Sequence, residues 1–89
     1  MPARYLVRGA VQGVGFRWFV LREAHRLDLR GWVTNLPDGS VEVVADGAAG
    51  SLEELQRVLA RGPSAARVSG VEKTDAPHDI TLPNFFDIK

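Results

Sequence analysis

The chain has 89 residues, enough for one small domain and too few for two, so its core must be economical, burying roughly 60–65% of the surface that the unfolded chain exposes. Eleven basic residues balance eleven acidic ones, which excludes the global positive field behind non-specific nucleic-acid or membrane binding and leaves any anion site to be local. With no cysteine, a disulfide framework, a thiolate zinc site and a phosphocysteine mechanism are excluded as well.

Met1-Pro2-Ala3-Arg4 lacks the apolar run and small-residue cleavage site of a signal peptide, and no apolar run approaches the ~20 residues needed to span a bilayer. A cytoplasmic protein with no membrane partner is the expectation. Arg4 to Val11 reads as a strand, with Tyr5, Val7, Gly9 and Val11 on one face. From Phe16 the period changes: Phe16, Val20, Ala24 and Leu27, with Phe19 beside them, predict a helix of about three turns. Arg22 and Arg26 fall on its solvated side, where Glu23 is placed to pair locally.

Leu29 to Asn35 predicts a second strand, with Gly31, Val33 and Asn35 on one face and Arg30, Trp32 and Thr34 on the other. Leu36-Pro37-Asp38-Gly39 suits a type I turn with a glycine bulge, leading into an antiparallel strand at Val41 to Asp46. Ser51-Leu52-Glu53-Glu54 has the pattern of a capping box, opening a helix that carries Leu52, Leu55, Val58 and Leu59 and stops at Gly62-Pro63. Ala66 to Thr74 predicts another strand, with a bulge near Gly70, and Phe86 and Ile88 a short final one. This order predicts an α+β, ferredoxin-like βαββαβ sandwich: an antiparallel sheet with both helices on one face and a short extra C-terminal strand, in a single domain over residues 1–89. Met1 at the start and the lack of a further domain favour a stand-alone monomer over a piece of a larger carbamoyl-transfer protein.

Such a fold hosts many functions, so function rests on sites. In Gly9-Ala10-Val11-Gln12-Gly13-Val14-Gly15-Phe16-Arg17 a strand passes through a glycine-bearing turn into a helix. Glycines permit positive φ and close approach of a ligand, the first N–H groups of a helix lack intrahelical partners, and Arg17 adds a planar cation; together these make an anion cradle. The alternative is a tight turn with a solvated arginine. His25 and His78 have no metal-ligand spacing with carboxylates or each other, and Ser40, Ser51, Ser64 and Ser69 lie in turn, cap or loop contexts without a nucleophile elbow. Asp38, Asp46 and Asp75 sit at turns and strand ends, where Asp commonly bonds local backbone. Ser40 to Ala45 has no aromatic residue on which RNA bases could stack, so no nucleic-acid partner is expected. Trp32 either flanks the cradle or covers the open sheet face. Asn35, at a strand end, remains as a neutral amide able to orient a water near a bound phosphate if the sheet brings the two together. Without a general acid, such a site suits an already activated phosphate with a weakly basic leaving group, such as an acyl phosphate.

At these residues the chain resembles the acylphosphatase family. Val7-Arg8-Gly9-Ala10-Val11-Gln12-Gly13-Val14-Gly15-Phe16-Arg17 matches its first motif, and Gly31-Trp32-Val33-Thr34-Asn35, followed by Gly39, Val41 and Gly47, its second. The resemblance extends to Phe86-Asp87-Ile88. It implies that Arg17 and the backbone N–H groups of Gln12, Gly13, Val14, Gly15, Phe16 and Arg17 bind the phosphoryl group, and that Asn35 positions the attacking water. It further implies hydrolysis of a small-molecule acyl phosphate to a carboxylate and inorganic phosphate, the latter also a competitive inhibitor, with no metal or cofactor. Two positions depart from the pattern: Thr34, where a longer, often basic side chain is usual, and Lys89, where an aromatic residue or Arg is common. A non-catalytic phosphate- or nucleotide-sensing module using the same cradle is the competing reading, and Asn35 discriminates between them.

Overall fold

The alternation of Tyr5 with Val7 and of Val41 with Val43 and Ala45 produces strands with one fully apolar face, and the helices supply the matching stripes. A computed structural model describes residues 2–77 and 79–89; His78, named above, lies outside the described residues. The elements run β1 (Ala3–Ala10), α1 (Phe16–Arg26), β2 (Arg30–Asn35), β3 (Val41–Asp46), α2 (Ala49–Arg61), β4 (Arg67–Asp75) and β5 (Phe86–Ile88). The sheet order is β4-β1-β3-β2-β5, so each helix joins two strands that a third separates, as in a split β-α-β unit. Ala3, Tyr5, Val7, Val33, Val41, Val43 and Ala45 from the strands pack with Phe16, Phe19, Val20 and Ala24 of α1 and Leu55, Val58 and Leu59 of α2 in one core. Each fully buried Val, Leu or Phe side chain there contributes about 1.5–3 kcal/mol. None of the helices described is long and apolar enough to cross a membrane.

β1, β2, β3 and β4 pair antiparallel, as expected, whereas β5 pairs parallel with β2, Gly31 opposite Phe86 and Val33 opposite Ile88. The chain dictates this direction. β4 ends at Asp75, opposite Ala3, and the loop that follows delivers Phe86 to the same end of the sheet, where β2 also begins. The C-terminus is then fixed in place: the Lys89 N–H donates to the Val33 carbonyl at 2.8 Å, and the Thr34 hydroxyl donates to the Lys89 carbonyl at 3.2 Å. The Lys89 ammonium lies 4.2 Å from the centre of the Trp32 ring. The two departures from the family pattern, Thr34 and Lys89, therefore meet each other, and Trp32 lies on the open face, paired with Val44, away from the cradle. Lys89→Ala removes the cation–π contact and keeps the backbone bond, an expected loss of about 0.5–1 kcal/mol. Thermal unfolding would then shift down by about 2–8 °C.

One local expectation fails. Helix α2 begins two residues before Ser51, with Ala48 as an extended N-cap (φ −63°, ψ 144°) and no side-chain cap, the first turn closing through Leu52 N–H to the Ala48 carbonyl at 3.0 Å. Ala48 and Ala49 offer no side chain that competes with the backbone, so the helix extends past the apparent capping box. Packing holds it there: Leu52 lies against the core and its carbonyl accepts the Tyr5 hydroxyl at 3.2 Å. The other end follows expectation, with Gly62 at φ 66° donating to the Val58 carbonyl at 2.8 Å.

Candidate active site

β1 ends at Ala10 and α1 begins at Phe16, so Val11 to Gly15 must turn the chain over the end of the sheet. Buried Val11 and Phe16 anchor the two sides of this loop in the core. Gly15, immediately before the helix, is left-handed (φ 78°, ψ 18°), as is Gly13 (φ 76°), and a Cβ at either would meet nothing within 4 Å. The loop therefore curls with its backbone open to the outside. Gly9 has a different reason: a Cβ there would stand 2.1 Å from the Arg67 carbonyl, at the register shift between β1 and β4, so Gly9 serves strand packing and not ligand approach.

Among the described residues, the backbone N–H groups of Gln12 through Trp18 have no acceptor. The N–H groups of Phe16, Arg17 and Trp18 are those any α-helix leaves open at its N-terminus, and here the curled loop precedes them. Arg17 is exposed, in the first turn of α1, and forms no ion pair with a described carboxylate. Unpaired donors and a cation thus collect at one helix end, the arrangement that attracts a phosphate.

Asn35 is the last residue of β2, opposite Val41 of β3. Its side-chain Oδ1 is buried and has no hydrogen-bond partner among the described residues, an orphaned acceptor of the kind that ordinarily costs about 1–3 kcal/mol. Asn35, Arg17, Gly13, Gly15, Val11, Phe16 and Trp18 line one pocket of about 140 Å³. The sheet has brought the strand end and the cradle together. Gln12 and Val14 do not line this pocket: Val14 packs against the core, and the Gln12 side chain turns toward the β2–β3 hairpin.

There the Gln12 amide donates to the Leu36 carbonyl at 2.8 Å and to the Ser40 carbonyl at 2.9 Å, stitching the cradle to the turn that follows Asn35. The turn is closed by Leu36 N–H to the Ser40 carbonyl at 2.9 Å and Gly39 N–H to the Leu36 carbonyl at 3.1 Å. Asp38 accepts from the Ser40 hydroxyl at 2.6 Å and the Ser40 N–H at 2.9 Å, and these bonds, with a smaller contribution from Arg8, hold its carboxyl below the ordinary carboxylate value. Ser40 thus has a structural task. Gln12→Ala would break two bonds that set the distance between Asn35 and the loop, with an expected loss of about 1–2 kcal/mol in a urea titration. Sequence alone did not expose this side chain, because its partners lie 24 and 28 positions away.

A larger cavity, about 530 Å³, lies at the opposite end of the sheet between His25, Arg30, Asp46 and Phe85. Three of its polar groups are engaged locally: Arg30 pairs with Asp46 at 3.5 Å, and the His25 ring nitrogen lies 3.3 Å from the Phe86 carbonyl. The smaller pocket combines open donors, an orphaned acceptor and a cation without an ion pair among the described residues.

The family model for acylphosphatase matches residues 3–88. An acylphosphatase of Nitratidesulfovibrio vulgaris is 53% identical over 91 residues, covering 100% of this chain and 91% of its own. The solved acylphosphatase of Coxiella burnetii is similar with a TM-score of 0.89 at 38% identity, over 99% of this chain and 90% of its own. HypF from T. kodakarensis is also 38% identical, with a TM-score of 0.85, over 100% of this chain and 12% of its own. With the fold, the glycine-bearing loop ahead of Arg17 and the strand ending in Asn35 all inside the matched region, this chain belongs to the acylphosphatase family.

Proposed function

We propose that this protein is an acylphosphatase that cleaves the carboxyl–phosphate bond of acyl phosphates by in-line attack of a water held by Asn35. The observation that carries the reading is the orphaned Asn35 Oδ1 in the pocket that holds Arg17. A phosphate-binding module gains little from a buried acceptor beside its ligand, since the unprotonated phosphoryl oxygens offer it no hydrogen. A water fits: it donates one hydrogen to Oδ1 and turns a lone pair toward phosphorus.

In this scheme the phosphoryl oxygens accept from the N–H groups of Gln12 to Arg17 and from the Arg17 guanidinium, which meets two oxygens at once. The water oxygen bonds to phosphorus as the bond from phosphorus to the acyl oxygen breaks, and the electron pair leaves with the carboxylate. The water's proton passes to a phosphoryl oxygen. A carboxylate leaves as a weak base, so no general acid is needed, and Arg17 with the backbone donors supplies the positive field for the phosphoryl oxygens. We propose on this ground that turnover needs no metal, and we propose further that the protein acts as a monomer.

The test is continuous hydrolysis of benzoyl phosphate, with and without a chelator and with inorganic phosphate added. Expected are turnover that the chelator leaves unchanged and competitive inhibition by phosphate. Phosphate binding without turnover would instead establish a sensing module.

A further inference from the structure

We infer that Trp18 is the residue that reads the acyl part of the substrate, favouring aromatic over small acyl groups; this rests on the hydrolase reading above. Trp18 and Phe85 are the two large apolar side chains that stand exposed among the described residues, at 65% and 58%. Phe85 belongs to the cavity at the far end of the sheet, whereas Trp18 lines the pocket of Arg17 and Asn35. Its indole N–H has no acceptor among the described residues. An indole exposed to this degree, one position beyond Arg17, keeps most of its surface open to a ligand in that pocket.

In-line displacement fixes where the acyl group goes. Asn35 holds the water through a buried atom, so the leaving group must depart on the opposite side of phosphorus, toward the open mouth. Of the residues at that mouth, Gly13 and Gly15 have no side chain, Arg17 is committed to the phosphoryl oxygens, and Val11 and Phe16 are buried beneath. Trp18 is left as the apolar surface an emerging acyl group can meet. A flat acyl group can stack on an indole; a methyl group covers little of it.

The experiment compares kcat/KM for benzoyl phosphate and acetyl phosphate in the native protein, Trp18→Ala and Trp18→Phe. The expected result is a benzoyl-to-acetyl ratio that falls about three- to tenfold in Trp18→Ala, mainly through KM for benzoyl phosphate, and that Trp18→Phe restores to within about twofold of native. A ratio unchanged in Trp18→Ala, or an equal loss for both substrates, overturns the assignment while leaving the hydrolase reading intact. A native protein that hydrolyses neither substrate overturns both. Alanine is the best helix former and the site is exposed, so the variant should fold.

Discussion

Arg17→Ala is expected to lower kcat for benzoyl phosphate by at least about 100-fold, because removing even one neutral preorganised donor costs about 2.7–4 kcal/mol of transition-state stabilisation and a guanidinium offers two charged ones. In the proposed mechanism the phosphate of the ground state meets the same cation, so KM should rise too and inorganic phosphate should inhibit less. Arg17→Lys keeps the charge and loses the planar fork, so an intermediate rate is expected. Stability should move differently. Arg17 stands in the first turn of α1, where the helix dipole disfavours a cation by about 0.3–1 kcal/mol, and it has no described carboxylate to offset that. The alanine variant should therefore melt at or slightly above the native temperature. A cation retained where it does not help the fold is what a phosphoryl site requires, and unchanged turnover in the folded variant would remove Arg17 from the mechanism.

What sequence alone revealed and what it did not divide by the range of the forces involved. The stripe from Phe16 to Ala24, the alternation of Tyr5 with Val7 and the turn at Pro37 to Gly39 are local patterns, and each reappears as α1, β1 and the β2–β3 hairpin. Local reading failed where tertiary contacts decided. Ser51 and Glu54 have the spacing of a capping box, yet the packing of Leu52 and Leu55 lets the helix start at Ala49. Gly9 looked like part of the cradle, but the close Arg67 carbonyl that demands a glycine arrives from β4, far along the chain. The parallel pairing of β5 follows from the end of the sheet at which β4 finishes, which no periodicity encodes. In the site, Arg17 and Asn35 were legible as residue types, and their sharing of one pocket needed the sheet. Gln12 was expected to contribute its N–H; what the structure shows is its side chain bridging to Leu36 and Ser40. Trp32 drew attention as the aromatic residue of the second motif, but Trp18 is the one at the pocket.

Asn35→Ala isolates the water from the phosphate. Loss of the acceptor should lower kcat by at least about 100-fold, on the same scale as loss of an oxyanion donor. Inhibition by inorganic phosphate should stay close to native, because the cradle and Arg17 are untouched; this separates Asn35 from Arg17, whose loss weakens both. Asn35→Asp provides the electrostatic control. It keeps the shape but places a carboxylate beside the phosphoryl oxygens, so phosphate inhibition should weaken as turnover falls. Stability again points to function: the native Oδ1 is buried without a partner among the described residues, a burden of about 1–3 kcal/mol that alanine does not carry, set against the packing lost with the amide. The expected thermal shift is therefore small, in contrast to the large fall in rate. A folded Asn35→Ala protein that binds phosphate as before and hydrolyses benzoyl phosphate at the native rate would show that the water needs no amide, and the cradle with Arg17 would have to position it unaided.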